Sequence, residues 1–216
     1  MKEIKKIFVV GGSTGYANWL LDMGMMLTKI PENADIALFT GGADLGPELY
    51  KEKEGSRTQC YRSRDKEELY YYDLFLKKGI PMLGICRGGQ LFTIMEGGKL
   101  VQHSTHPYNH KVTTKDGEVY DINSMHHQQF LLEGCSNYTL IAWAENLSPF
   151  HLDGNDVDYN FPEDYKEPEV VFFQNSKSLA IQCHPECIDN FRTMQWFKKL
   201  VREHLLVEKE ELQVAA

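Results

Sequence analysis

Short apolar runs that stop at paired glycines set the rhythm of the N-terminal half. Ile7-Phe8-Val9-Val10 is continuous, β-branched and aromatic, and ends in Gly11-Gly12, which predicts a strand buried on both faces and then a turn. Ile36 to Phe39 repeats the pattern and ends at Gly41-Gly42. Between these runs Trp19, Leu20, Met23, Met26, Leu27 and Ile30 recur at helical spacing as far as Pro31, so the segment reads as strand, helix, strand. A helix over Asp65 to Lys78, with Leu69, Tyr72, Leu74 and Phe75 as its apolar positions, and a short strand from Pro81 to Ile85 repeat the unit. Alternation of this kind predicts an α/β fold with a mostly parallel central sheet flanked by helices.

After Cys86 a helix runs to about Glu96 and closes at Gly97-Gly98, as a helix C-terminus should. The character then changes. Residues 99 to 124 read as short strands, with Lys115-Asp-Gly117 a hairpin signal between Lys111-Val112-Thr113 and Glu118-Val119-Tyr120. Leu140 to Ala144, Val170 to Phe173 and Leu179 to Cys183 are further strands, the last preceded by the turn Asn175-Ser176-Lys177. The second half therefore adds antiparallel strands to the parallel sheet. An amphipathic helix over about Asp189 to Leu206 closes a single domain placed at residues 1–207, ahead of a charged tail at 208–216.

The stretch from Leu147 to Glu169 carries seven acidic residues against one lysine, with Phe150, Tyr159, Phe161 and Tyr165 among them. It is expected to be a solvated surface loop anchored by its aromatics, with a lid as the alternative. Asp153-Gly-Asn-Asp-Val-Asp158 lacks the spacing and the closing glutamate of an EF-hand loop.

With 216 residues and 42% hydrophobic positions, a sizeable core is expected. A net charge of -8 argues against a general nucleic-acid binder, because neutralising phosphates needs surplus Lys and Arg, and points to a small-molecule partner. Five cysteines at 60, 86, 135, 183 and 187 are an odd number in a chain of this size, which suggests a reducing cytoplasm more than a disulfide framework. The apolar run at Ile7–Val10 is too short for an export signal, and no stretch approaches the ~20 apolar residues of a membrane span. Nothing calls for a cofactor.

Gly84-Ile85-Cys86-Arg87-Gly88-Gly89 places a glycine two before and two after a cysteine at a strand-to-helix junction. This is the pattern of a nucleophile elbow, where side chains at the flanking positions would collide. The cysteine then stands at the strand's C-terminal edge with the helix N-terminus pointing at it, which favours the thiolate, and the backbone N–H of Arg87 becomes an oxyanion donor. The plainer alternative is a small buried hydrophobe.

A thiolate attacking an amide needs a base that later protonates the leaving amine, and Gln182-Cys183-His184-Pro185-Glu186 supplies one. Proline at 185 biases His184 to an extended backbone. Glu186 can then accept the Nδ1 proton and leave Nε2 facing the sulfur. A rival reading takes Cys183, His184 and Cys187 as zinc ligands, but no second matching pair completes the set. His103, His106 and His110 are expected on the polar surface, not in a metal site, and His126-His127 offers backbone groups to a ligand.

Gly84-Ile-Cys-Arg-Gly-Gly-Gln90 and Cys183-His-Pro-Glu186 resemble the two signatures of class I glutamine amidotransferases, in the variant typical of the γ-glutamyl hydrolase-like peptidases (peptidase C26). Phe39-Thr-Gly-Gly-Ala-Asp-Leu-Gly-Pro-Glu-Leu-Tyr50, Arg64-Asp-Lys-Glu-Glu-Leu69, Gly97-Gly-Lys-Leu-Val-Gln102 and Asn123-Ser-Met-His-His-Gln128 fit that subgroup in order. The resemblance implies a flavodoxin-like sheet, a γ-glutamyl thioester intermediate, and Cys86, His184 and Glu186 as the triad. It also implies oxyanion N–H groups from Gly41 or Gly42 with Arg87, and a glutamyl pocket at Gln90, Met125, His126, His127 and Gln128. Its substrate would be glutamine or a γ-glutamyl compound. A separate synthase taking the ammonia, a homodimer, and a non-catalytic regulatory protein on the same scaffold stay open. The family usually has a further strand and helix before the Gly41-Gly42 loop, so a sheet trimmed at that edge is expected here.

Overall fold

The structure is a computed structural model and describes residues 4–145 and 147–206; the charged tail expected at 208–216 lies outside them. In chain order the elements begin with β1 (Lys6–Val10), α1 (Asn18–Leu21), β2 (Met26–Leu27), β3 (Ile36–Phe39), α2 (Arg62–Lys78), β4 (Met82–Ile85) and α3 (Arg87–Met95). The strands β5 (Lys99–Val101), β6 (His103–Ser104), β7 (Asn109–Thr114), β8 (Val119–Asn123) and β9 (Gln129–Leu131) follow. The chain continues with β10 (Tyr138–Ala144), β11 (His151–Leu152), β12 (Glu167–Phe173), β13 (Ser178–Ile181) and α4 (Phe191–His204).

Nine strands form one sheet in the order β2-β1-β3-β4-β13-β12-β10-β7-β8. From β2 to β13 neighbours run parallel, and from β13 to β8 they run antiparallel. Every residue of β3, β4 and β13 is buried, which is why these strands read as unbroken apolar runs. Alternate residues serve opposite cores: Ile36, Leu38, Leu83, Ile85, Leu179 and Ile181 pack with Trp19, Leu20, Trp196 and Phe197 of α1 and α4. Ala37, Phe39, Met82 and Ala180 pack with Tyr72, Phe75, Leu91 and Phe92 of α2 and α3.

Between β1 and β3 the chain departs from the expected pattern. The helix expected from Trp19 to Ile30 is one turn long, because Gly24 takes the left-handed conformation (φ 86°), where a right-handed helix cannot continue. Trp19 and Leu20 reach the core, whereas Met26, Leu27 and Ile30 are exposed. In place of a full strand and helix, the two-residue β2 caps the sheet edge. The hairpin β7–β8 turns where expected, with Gly117 at φ 80°.

The acidic stretch is not merely a solvated loop. Its β11 pairs with β6, and Phe161 stacks on Tyr165 and Tyr159 with centroids 3.8 and 5.3 Å apart, the rings of Phe161 and Tyr165 lying edge-on to His151. Asp153 Oδ1 accepts the N–H groups of Asn155 and Val157 at 2.8 and 2.9 Å, so that carboxylate closes its own turn.

Candidate active site

Two adjacent parallel strands deliver the chemistry. Ile85 of β4 lies opposite Ile181 of β13, so the residues that leave the sheet beyond them, Cys86 and His184, emerge side by side although they are remote in sequence. Cys86 has φ 50° and ψ -109°, a region costing of order 1–3 kcal/mol for a residue with a side chain. It is held there at both ends: its N–H donates to the Ile181 carbonyl at 2.7 Å, and its carbonyl accepts from the Gln90 N–H at 2.9 Å. The glycine bracket is a steric requirement. A Cβ on Gly84 would lie 2.5 Å from the backbone of Gly88 and Gly89, and one on Gly88 would run into the Phe39 carbonyl.

His184, ahead of Pro185, avoids the helical region but stops short of a fully extended backbone (φ -111°, ψ 86°), and its Nδ1 sits 2.7 Å from Glu186 Oε1. Burial disfavours its imidazolium, but the Cys86 sulfur and the Glu186 carboxylate outweigh that and raise its pKa to about 9. The ring packs at 5.8 Å from Tyr16. A Cβ on Gly41 would meet both His184 Cε1 and the Tyr16 hydroxyl at 2.8 Å, so a glycine there lets the ring and the hydroxyl approach the loop.

The Gly41-Gly42 loop leaves β3 next to the elbow, since Phe39 pairs with Gly84. Thr40 fixes its start: its N–H donates to Val10 O at 3.2 Å, and its Oγ1 accepts from the Gly12 N–H at 2.6 Å. Arg64 donates to the Thr40 carbonyl at 3.0 Å, and Arg87 to the carbonyls of Ala43 and, at 2.8 Å, Asp44. Among the described residues no hydrogen bond takes the N–H of Gly41 or Gly42. The Arg87 side chain is fully buried and ion-paired with Asp65 at 2.5 Å and Glu68 at 2.9 Å, and Glu68 also pairs with Arg64 at 2.7 Å.

The residues expected at the glutamyl pocket are spread over several environments. Gln90 is buried and its Nε2 donates to the Gln128 carbonyl at 3.2 Å, whereas Met125 is 43% exposed. His127 Nε2 is 2.9 Å from Asp44 Oδ1, and its Nδ1 is 3.0 Å from Nδ1 of His103, whose Nε2 accepts from Arg57 at 2.7 Å. The Gln128 amide is buried with both polar atoms unpartnered among the described residues. The His126 ring does not face an open pocket; it is buried against His106 and Glu169, and burial lowers its pKa to about 4.

The expected polar surface for the first histidine set fails for two of its members. His106 and His110 have buried side chains facing Glu167 and Glu169, because these acids on β12 need buried partners. The rival zinc reading also changes. Cys183 is buried with its thiol pKa pushed well up by desolvation, Cys187 is exposed, and the group with metal-ligand spacing among the described residues is His106, His126 and Glu169.

Sequence reasoning missed Asn123 as a site residue. Its side chain accepts from the His184 N–H at 2.8 Å and donates to the His184 carbonyl at 2.9 Å. Tyr16, Asp65 and Glu68 were missed likewise; the Arg64–Leu69 motif was the available signal for the two acids.

A strained cysteine beside a carboxylate-bound histidine at the end of a mostly parallel sheet accompanies a fold of the class I glutamine amidotransferase type. The family model of peptidase C26 matches residues 5–146, and the chain belongs to that family. A Schizosaccharomyces pombe protein named as a glutamine amidotransferase is 33% identical over 189 residues, covering 76% of this chain and 67% of its own length. A glutamine amidotransferase-like protein of Lactococcus lactis is 31% identical, covering 77% and 71%. The crystal structure of a protein described as a GMP synthase subunit, from Thermoplasma acidophilum, shares the fold, with a TM-score of 0.59 at 18% identity over 93% of this chain and 94% of that one.

Proposed function

We propose that this protein is a cysteine-dependent hydrolase that cleaves the γ-carboxamide of glutamine or of a γ-glutamyl compound through a thioester on Cys86. The observation that carries the reading is the placement of Cys86, at φ 50° on the elbow, one strand from a histidine held 2.7 Å from Glu186. The Cys86 sulfur attacks the amide carbon while His184 Nε2 holds the thiol proton. The carbonyl oxygen becomes an oxyanion, received by the N–H groups of Gly41 or Gly42 and of Arg87; one such donor is worth about 10²–10³ in rate. Collapse breaks the C–N bond, and His184 passes its proton to the departing ammonia or amine. A water, deprotonated by His184, then cleaves the thioester and releases the γ-carboxylate with the thiol restored. Glu186 keeps the imidazole in the tautomer that both steps use.

Gln90, Met125, His127 and Gln128 border the pocket for the glutamyl group in this reading, with His126 reduced to a backbone contribution. The cytoplasm suits five free cysteines, and no helix among the described residues is long and apolar enough to cross a membrane.

The test is a panel of glutamine, γ-glutamyl amines and poly-γ-glutamate, read as glutamate released by the purified chain and by Cys86→Ala. Equal release by the two proteins would sink the mechanism. The kinship in fold with a GMP synthase subunit favours a second reading, in which the chain passes ammonia to a separate synthase; turnover would then be negligible alone and rise when that partner is added. If Cys86 fails to react with a glutamine-like electrophile while ligand binding persists, the scaffold is regulatory.

A further inference from the structure

Behind the 125–128 segment lies a buried group that the proposed hydrolysis does not use. His106 comes from the turn between β6 and β7, His126 from the loop between β8 and β9, and Glu169 from β12. Their side chains are at most 1% exposed, and one donor atom from each lies within 4.8 Å of the others. His106 Nδ1 is 3.5 Å and His126 Nε2 is 3.9 Å from Glu169 Oε1.

The outer faces of both rings decide what points inward. His126 Nδ1 lies 3.0 Å from the Gln128 carbonyl, which can only accept, so Nδ1 carries the proton and Nε2 presents its lone pair to the cluster. His106 Nε2 abuts Glu167, again an acceptor, so the neutral ring turns the Nδ1 lone pair inward. Gln129 Nε2 lies 2.7 Å from the same nitrogen; turning that amide over brings its Oε1 there instead, beside the Nε2 proton that Glu167 accepts. His106 Nδ1, His126 Nε2 and Glu169 Oε2 have no hydrogen-bond partner among the described residues. Two lone pairs and a carboxylate thus converge in a buried space, an arrangement that needs a positive charge at its centre.

We propose that His106, His126 and Glu169 bind one divalent transition-metal ion of the zinc type. Imidazole and carboxylate donors suit such an ion, whose bonds of about 2.0–2.2 Å set ligand atoms about 3.3–3.5 Å apart in a tetrahedron. The observed separations require inward shifts of under about an ångström. Each ligand has the backing expected of a metal site: Glu167 behind His106, the Gln128 carbonyl behind His126, and His110 Nε2 at 3.1 Å from Glu169. A water would complete the tetrahedron. The role is structural: the ion ties the 125–128 loop to β12, and the Glu169 carbonyl receives the Gln182 N–H at 2.8 Å, two residues before His184.

The full chain, stripped with chelator and checked for native circular dichroism, is to be titrated with Zn²⁺ and separately with Co²⁺. One zinc per chain should bind, and the thermal midpoint should rise by about 5–10 °C at a hundredfold excess over Kd. Co²⁺ should give visible ligand-field bands without thiolate charge transfer, in the parent and in Cys187→Ser, and not in Glu169→Gln or His126→Gln. No midpoint shift and no bands in the folded parent would overturn the site and leave a histidine–carboxylate network that holds a proton. Bands with a charge-transfer component lost in Cys187→Ser would also overturn it, because the ion would then sit on the cysteines.

Discussion

Asn123 grips the backbone of His184 from both sides, accepting its N–H at 2.8 Å and donating to its carbonyl at 2.9 Å. The contact joins the last residue of β8 to the residue after Cys183, so an outer antiparallel strand sets the ring's origin. Removing both bonds should let His184 drift, and a displacement of about 1 Å near reacting atoms can cost about 10²-fold. Asn123→Ala should therefore lower kcat by about 10–100-fold on whichever γ-glutamyl amide is turned over, with KM changed by less than about threefold. A proportional rise in KM with unchanged kcat would assign Asn123 to substrate binding instead.

Arg87 carries a different burden from the one its backbone suggested. Its guanidinium, with no exposure, binds Asp65, Glu68 and the carbonyls of Ala43 and Asp44, clamping α2 and the Gly41-Gly42 loop onto the elbow. Arg87→Ala leaves the buried Asp65 without its cation and Glu68 with Arg64 alone, and should cost about 3–5 kcal/mol in urea unfolding. Arg87→Lys should recover little of that loss, since an ammonium lacks the planar fork that reaches four oxygens. Full stability in the lysine variant would show that charge alone matters there.

What could be read from the sequence was local. Gly84 announces the elbow because the clash it avoids, with the Gly88 backbone, is between residues four apart in sequence, whereas the clash that Gly88 avoids is with Phe39 of a distant strand; β3, β4 and β13 announce themselves because both faces are covered. Asn123 with His184, or Glu169 with His126, meet only because strands far apart in sequence become neighbours, and no spacing rule encodes that. Helical spacing from Trp19 to Ile30 misled because periodicity ignores the single backbone conformation at Gly24. The buried histidines at 106 and 110 misled because polar residues amid short strands look exposed until their acidic partners on β12 are known.

The bracket makes a sharp comparison. A methyl on Gly84 would stand 2.5 Å from the Gly88 and Gly89 backbone, whereas one on Gly15 would meet only Ser13 Oγ at 3.3 Å. Gly84→Ala should push α3 away from β4, cost about 3 kcal/mol or more, and abolish thioester formation, while Gly15→Ala should stay within about 1 kcal/mol of the parent. Denaturant midpoints, together with mass-spectrometric trapping of the acyl-enzyme, check both. An active, fully stable Gly84→Ala would mean that the turn relaxes.

The pKa of His184 gives a signed prediction for pH. Burial works against its imidazolium, yet the Cys86 sulfur and Glu186 raise the folded-state value to about 9, above the 6.5 of a free histidine. A raised value means that the folded protein holds the proton more tightly. The stabilisation is therefore complete below about pH 6.5 and is lost as pH climbs through about 9, amounting to about 3 kcal/mol at most. Urea unfolding at pH 6 and at pH 9.5 should show the parent losing that increment relative to His184→Gln, a comparison that cancels the titrating groups not coupled to the ring. Imidazole NMR should place the His184 midpoint near 9 in the parent and move it toward the free value in both Cys86→Ala and Glu186→Gln. If neither substitution moves it, the ring is charged for reasons unrelated to the sulfur, and the ion-pair starting state for catalysis loses its support.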